Sequence, residues 1–373
     1  MLTRRRKAGL SLERERGYPE SVRGRGWRGV LVALAAAVVT LAEAGGQEQP
    51  SAAERNRRGA LLLEKGDFAG ALKEFQAAAR LRPDDAAIQF NVGLALFRLG
   101  RYPEALKPLA RALKHPGSAA QARYLRGVIF FERRDFASCA RELESLRGNA
   151  RYGEHVLYML VESYRNLNDA KRSQEAFAEL NARYPDSALL HKLLGMAHEW
   201  QGNETKAIEE FQQALRVNPR MPEMAFAIGF LYFKQQRYAE ARQWLERELE
   251  LDPCSARTHH YLGEIDYLEE RLAEAATRYE KAIACEPNFA EPYIGLGTVH
   301  ERRGDIETAV KLYREAVKRN PESAQARFKL GTALRKSGRR EEGDQELAVA
   351  RRLYAEEAKA KPPARGAPPA QGR

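Results

Sequence analysis

Seven histidines and three cysteines are the side chains of this 373-residue chain best suited to acid–base, nucleophilic or metal chemistry. The histidines are His115, His155, His191, His198, His259, His260 and His300. A helical zinc site needs two ligands four residues apart on one face, as in H-E-x-x-H, and no two of these histidines have that spacing. His259 and His260 are neighbours and point to different sides of a helix. His198 falls where Tyr164 and Tyr232 fall in a repeat described below, which makes it a packing residue. Gly24 to Gly29 spells G-x-G-x-x-G, but no strand precedes it and no βαβ unit surrounds it, so it makes no dinucleotide site. Neither a P-loop nor a nucleophile elbow nor a zinc-spaced cysteine set occurs. No catalytic residue, metal or cofactor is expected, and the chain reads as a non-enzyme.

The elements that would have to position any site come from a repeat. Gly59, Gly93, Gly127, Gly195, Gly229, Gly263, Gly297 and Gly331 lie on a single grid of 34 residues, interrupted only by Val161. Twelve residues after each grid point stands a small residue, from Ala71 through Cys139 and Ser173 to Gly343. Sixteen after stands a large apolar one, from Phe75 and Leu109 to Tyr313 and Leu347. Proline recurs at 24 after, for example at Pro83, Pro185 and Pro321. Both halves of each unit carry apolar residues at helical spacing, as in Ala225, Ile228, Gly229 and Tyr232. Gly66, Gly100, Gly202, Gly304 and Gly338 stand between the halves, where a helix end takes a left-handed residue. Proline closes the second helix and can start the next. Each unit is therefore an antiparallel helix pair that cannot bury both faces alone, and nine in register form a continuous core. Arg134 and Asn168 replace the turn glycine in the third and fourth units, and looser packing is expected there.

The period and these residues resemble the tetratricopeptide repeat family over nearly all of residues 52–357; the stretches 91–113 and 294–321 follow its pattern closely. The resemblance implies an all-α, right-handed superhelical solenoid of about nine units, with the first helix of each pair lining a concave face. Two aromatic clusters then fall on that face. One holds Phe90, Phe97, Tyr124, Phe131 and Tyr158; the other holds Phe226, Phe230, Phe233, Tyr261 and Tyr267, with His260 among them. Lys192 and Glu199 separate the two. Aromatic rings dominate many binding hot spots, so the rings line a candidate groove for an extended or helical apolar peptide; packing along the solenoid is the competing role. Family members that clamp a carboxylate use a set of Lys, Asn and Arg whose positions here hold Asn56, Ala60, Asn91, Gln121 and Leu125; Asn91 alone matches. The function implied is a non-enzymatic scaffold that binds a protein or peptide and aids assembly of an envelope or secretion complex. The alternatives are a structural assembly part, or an accessory module acting in trans with a glycan-active enzyme. The sequence leaves the oligomeric state open.

The ends carry most of the charge. The chain has 62 basic and 51 acidic residues, a formal +11. Residues 1–44 contribute +5 and residues 351–373 contribute +4, which leaves +2 on the repeats. Arg4, Arg5, Arg6 and Lys7 begin a basic stretch before the apolar run Val30–Ala42, and Ala42-Glu43-Ala44 then offers small-x-small. That order is a secretory signal cut after Ala44; an uncleaved inner-membrane anchor is the alternative, and membrane contact would come only through residues 1–44. The chain is thus expected outside the cytoplasm, in a periplasm-like compartment. A nucleic-acid partner is not expected. Residues 45–51 form a short linker, residues 52–357 the array, and residues 358–373 a helix end and a Pro/Gly/Ala-rich tail. Among the cysteines, Cys139 takes a small core position and Cys285 an apolar one shared with Leu81 and Val217. A Cys254–Cys285 bridge is conceivable in an oxidising compartment, with two free thiols the favoured reading.

Overall fold

The computed structural model describes residues 50–360. The signal segment with Ala44, residues 45–49 of the linker, and the tail from 361 lie outside the described residues. Among the described residues there are eighteen α-helices and no strand, and no helix is long and apolar enough to cross a membrane. The described chain divides into two compact units, 50–221 and 222–360.

The first unit holds five helix pairs. They are α1 (Ala52–Glu64) with α2 (Phe68–Leu81), α3 (Ala86–Arg98) with α4 (Tyr102–Ala112), α5 (Pro116–Glu132) with α6 (Phe136–Leu143), α7 (Gly153–Asn166) with α8 (Ala170–Arg183), and α9 (Ala188–Trp200) with α10 (Glu204–Val217). The second holds four: α11 (Met224–Lys234) with α12 (Tyr238–Leu251), α13 (Ala256–Leu268) with α14 (Leu272–Cys285), α15 (Glu291–Arg302) with α16 (Ile306–Arg319), and α17 (Ala324–Lys336) with α18 (Arg340–Ala360).

Local chemistry sets the ends. Ser51 and Glu54 form a reciprocal capping box at α1. Asp67, Asp135, Asp169 and Asp305 each accept a backbone N–H at the start of a second helix, at 2.8–3.2 Å. The turn inside every pair needs one left-handed residue, and all nine have it, with φ from +58° to +89°. Five of these are glycine; Arg134, Asn168, Gln236 and Glu270 adopt the same conformation with a side chain, so the missing glycines do not change the fold.

The grid glycines let the paired helices close on the large residue sixteen positions on. A Cβ at Gly93 would lie 2.5 Å from Leu109 Cγ, and one at Gly127 would lie 2.3 Å from Leu143 Cδ2. Leu109 and Leu143 are fully buried, as is Phe75 opposite Gly59. The fourth pair tests the rule from inside the chain. Val161 fills the gap there, and its partner Phe177 is only half-buried. Within the pair the looser packing is limited to that contact, because Val156 through Tyr164 on α7 are all buried; the outer face of α8 is a separate matter.

Two features of the second unit correct the sequence reading. Cys254, in the turn after α12, and Cys285, the last residue of α14, form a disulfide, with Cα atoms 5.3 Å apart. The favoured pair of free thiols is thus overturned. The positions that match Cys285 are also not core: Leu81 and Val217 are exposed. Cys285 ends its helix near the protein surface, beside the turn that carries Cys254. Cys139 remains a free, buried thiol.

Candidate functional site

In the first unit the predicted groove residues separate into two sets. Phe90, Phe97, Tyr124 and Tyr158 are buried in the main hydrophobic core, and their rings fill the space between helices. Tyr124 is 1% exposed and stacks on Tyr152 at 4.4 Å between centroids. Phe131 is half-buried, 6.4 Å from Tyr158 and 6.0 Å from Phe136. Asn91 is half-buried and donates from Nδ2 to Asn56 Oδ1 at 2.9 Å, so this residue is held by a neighbouring repeat. The break foreseen at Lys192 is a contact: its ammonium lies 5.6 Å from the Tyr158 ring centre, within cation–π range.

In the second unit the rings converge on Tyr261. Its centroid lies 5.0 Å from Phe230, 5.2 Å from Phe233, 5.8 Å from Phe226 and 5.1 Å from His260. Most of these contacts are edge-to-face or tilted, the geometry that the ring quadrupole favours. Phe226 is buried, whereas Phe230, Phe233, His260 and Tyr261 are half-buried. Tyr267 is also half-buried, with the Arg302 guanidinium 5.6 Å above it. Cations edge the cluster. Arg257 lies 4.4 Å over Phe226 and Lys234 lies 5.9 Å over Phe230. Burial pushes the Tyr261 phenol up to about 12 and pulls the His260 imidazole below its ordinary value. Both therefore present neutral rings at neutral pH. Arg257 is also ion-paired with Glu223 at 3.4 Å, so the arrangement offers a partly open aromatic surface whose edge carries a paired charge.

Sequence reasoning missed the buried acids. Glu162 takes a position that holds Leu94 and Val128 in earlier pairs, and it is buried on α7. Burial raises its carboxyl, while Arg165, 2.6 Å away, and Lys192 pull the other way. Glu248 is buried on α12 and accepts the N–H groups of Glu223 and Phe226 at 3.2 Å each. It thus caps α11, which has no side-chain cap of its own. Asp266 is buried and accepts from Arg242 at 2.8 Å and Arg271 at 2.7 Å. The available signal was an acid at a grid position that is apolar in other units. Among the described residues no group of three or more His, Cys, Asp and Glu is placed to hold a metal ion.

The stacked antiparallel pairs define an all-α repeat solenoid. The chain belongs to the tetratricopeptide repeat family, whose model matches residues 56–119, 158–214, 201–256 and 294–365, more than half of its length. Proteins of this family are generally non-enzymatic scaffolds for protein interaction. Two relatives stand out. The type IV pilus assembly protein PilF of Pseudomonas aeruginosa is 27% identical over 168 residues, 43% of this chain and 64% of that protein. The cellulose synthase operon protein C of Escherichia coli K12 is 27% identical over 193 residues, 52% of this chain and 15% of that protein. The chain thus matches less than two thirds of either relative's own length. Among solved structures, IFIT1 in a monomeric mutant form superposes with a TM-score of 0.50 at 17% identity, over 82% of this chain and 72% of that one; it shares the fold.

Proposed function

We propose that the chain is an exported scaffold that holds an apolar segment of a protein partner against the half-exposed rings of its first helices. The observation that carries this reading is the Tyr261 cluster. Phe230, Phe233 and Tyr261 bury much of their area against one another yet keep surface in reach of a ligand. Pre-packed rings lose little entropy on binding. An extended peptide with apolar side chains fits this chemistry. The relatives named for pilus assembly and for a cellulose synthase operon favour a partner in an envelope or secretion complex. The Cys254–Cys285 bridge favours an oxidising compartment. Residues 1–44 serve in this reading as the export signal or as an anchor, residues 52–357 as the binding array, and residues 358–373 as its tail. End-on self-assembly has less support, since α18 carries the exposed charges Asp344 and Arg351 where α2, α4, α14 and α16 carry apolar residues.

The test places a photo-crosslinking side chain at Phe233 and, as control, at Leu251. Crosslinking in the native compartment is expected from Phe233 and not from Leu251. Equal yield at both positions, or none at Phe233, rejects the groove. Tyr261→Ala with Phe230→Ala should weaken capture of the crosslinked partner at least tenfold while the helical circular dichroism signal is retained.

A further inference from the structure

The five pairs of the first unit are not stacked evenly. Elsewhere in both units the second helix of a pair packs along the first helix of the next, as α2 does on α3 and α16 on α17. α8 and α9 do not pack along their lengths; α9 keeps its contact with α7 instead. Burial reports the same opening independently. The residue two after the grid point faces the preceding pair, and Ala95, Ile129, Ile265, Val299 and Ala333 there are fully buried. Ala197, at the same position on α9, is exposed. Its only counterpart in this respect is Leu61 on α1, 50% exposed, which no described helix precedes.

The cause lies in two side chains of α8. Thirteen residues after the grid point, the outer face of a second helix carries Leu72, Leu106, Ala140, Ile208, Ala276 or Val310, while Arg242 of α12 is ion-paired there with Asp266 and Glu269 of the next helix and its end. Twenty after stands Ala79, Leu113, Leu215, Leu249, Ile283 or Val317, and in the third pair Arg147, which is ion-paired with Glu179. α8 has Gln174 and Asn181 at these places, both exposed. Packing α9 there would strip water from two amides with no partner on the apolar side of α9, which costs more than the contact returns. The N-terminal half of α9 stays anchored: Leu190 and Leu193 belong to the main core, and Ser187 Oγ donates to Glu154 Oε1 at 2.6 Å. The C-terminal half is released and ends at Trp200, 72% exposed.

We propose that the α8–α9 junction is a hinge. The pair α9–α10 pivots on the α7 contact, about residues 184–187, while α1–α8 stay one rigid stack. The pivot lies little more than one turn before Lys192, where the aromatic stripe of the first helices is interrupted, and Glu199 lies at the far, released end of α9. Its motion sets how far the C-terminal half of α9 stands from α7, while the N-terminal contact between them holds.

Amide hydrogen exchange on the full mature chain tests this directly. Amides of α10 and of the second half of α9 should exchange as a block at least tenfold faster than those of α3 and α4. Gln174→Leu with Asn181→Leu restores the apolar face and should reduce that gap to less than threefold. Equal protection of α9–α10 and α3–α4 in the native protein overturns the hinge. So does an undiminished gap in a double variant with native circular dichroism. If the double variant misfolds, the comparison within the native protein decides alone.

Discussion

Gly229→Ala isolates the contact on which the helix pairs are built. An added Cβ would stand 2.8 Å from Leu245 Cγ and 3.1 Å from the Ala241 carbonyl oxygen. Leu245 and Ala241 are both fully buried, so neither can move into solvent. Overpacking of this kind costs about 1–3 kcal/mol. Replacing glycine inside a helix by alanine returns about 1 kcal/mol of propensity. The balance is a destabilisation of roughly 1 kcal/mol. Propensity alone would give a stabilisation of the same size, so the sign of the change decides. Trp244 precedes Leu245 on α12 and is half-buried, whereas Trp200 is largely exposed; in a background with Trp27→Phe and Trp200→Phe, which leaves Trp244 alone of the three tryptophans, emission during urea unfolding reports this pair. Leu245→Ala alone should cost about 2–5 kcal/mol. The two changes together should cost less than their sum by about 1–2 kcal/mol, because the cavity receives the new methyl group. A higher urea midpoint for Gly229→Ala, or strict additivity in the cycle, would refute the close-approach argument.

Two further outcomes are expected. Cys254→Ser or Cys285→Ser should lower the stability of the second unit by about 2–4 kcal/mol through loss of the bridge; thiol titration of unfolded, unreduced protein should find one cysteine, Cys139, and three after reduction. The Glu132 carboxyl is raised by burial, so its ionised form opposes folding. That penalty is absent below the unfolded value of about 4.3 and grows as pH rises through the raised folded value. Glu132→Gln should therefore leave stability unchanged near pH 4 and increase it near pH 7, and a thermal melt at each pH checks the difference.

The fold was legible because the chain repeats itself. A single glycine with a large residue sixteen positions later means little; eight registers of the same pair leave one economical solution, the close-packed helix hairpin. The turn positions were nearly as clear, although Gln236 and Glu270 escaped notice. A left-handed residue outside glycine carries no sequence mark, and the flanking helices impose it. The fourth unit was the exception that sequence could flag and only packing could explain, with Val161 displacing Phe177.

The candidate site was legible as a stripe and no further. Helical spacing puts Phe90, Tyr124, Phe226 and Tyr261 on the first helices, but spacing cannot say how closely the next helix approaches. That approach hides Tyr124 under Tyr152 and leaves Phe230 and Tyr261 half-open. The same limit hid the Cys254–Cys285 bridge, since whether a turn and a helix end meet depends on how two pairs stack. Residue periodicity by itself determined the helix pairs and their number, because these follow from local geometry summed over 34 residues. Only the tertiary structure decided which rings are free, which cysteines meet and where the stack opens at Gln174 and Asn181, because each depends on the distance between helices that are not neighbours within one hairpin.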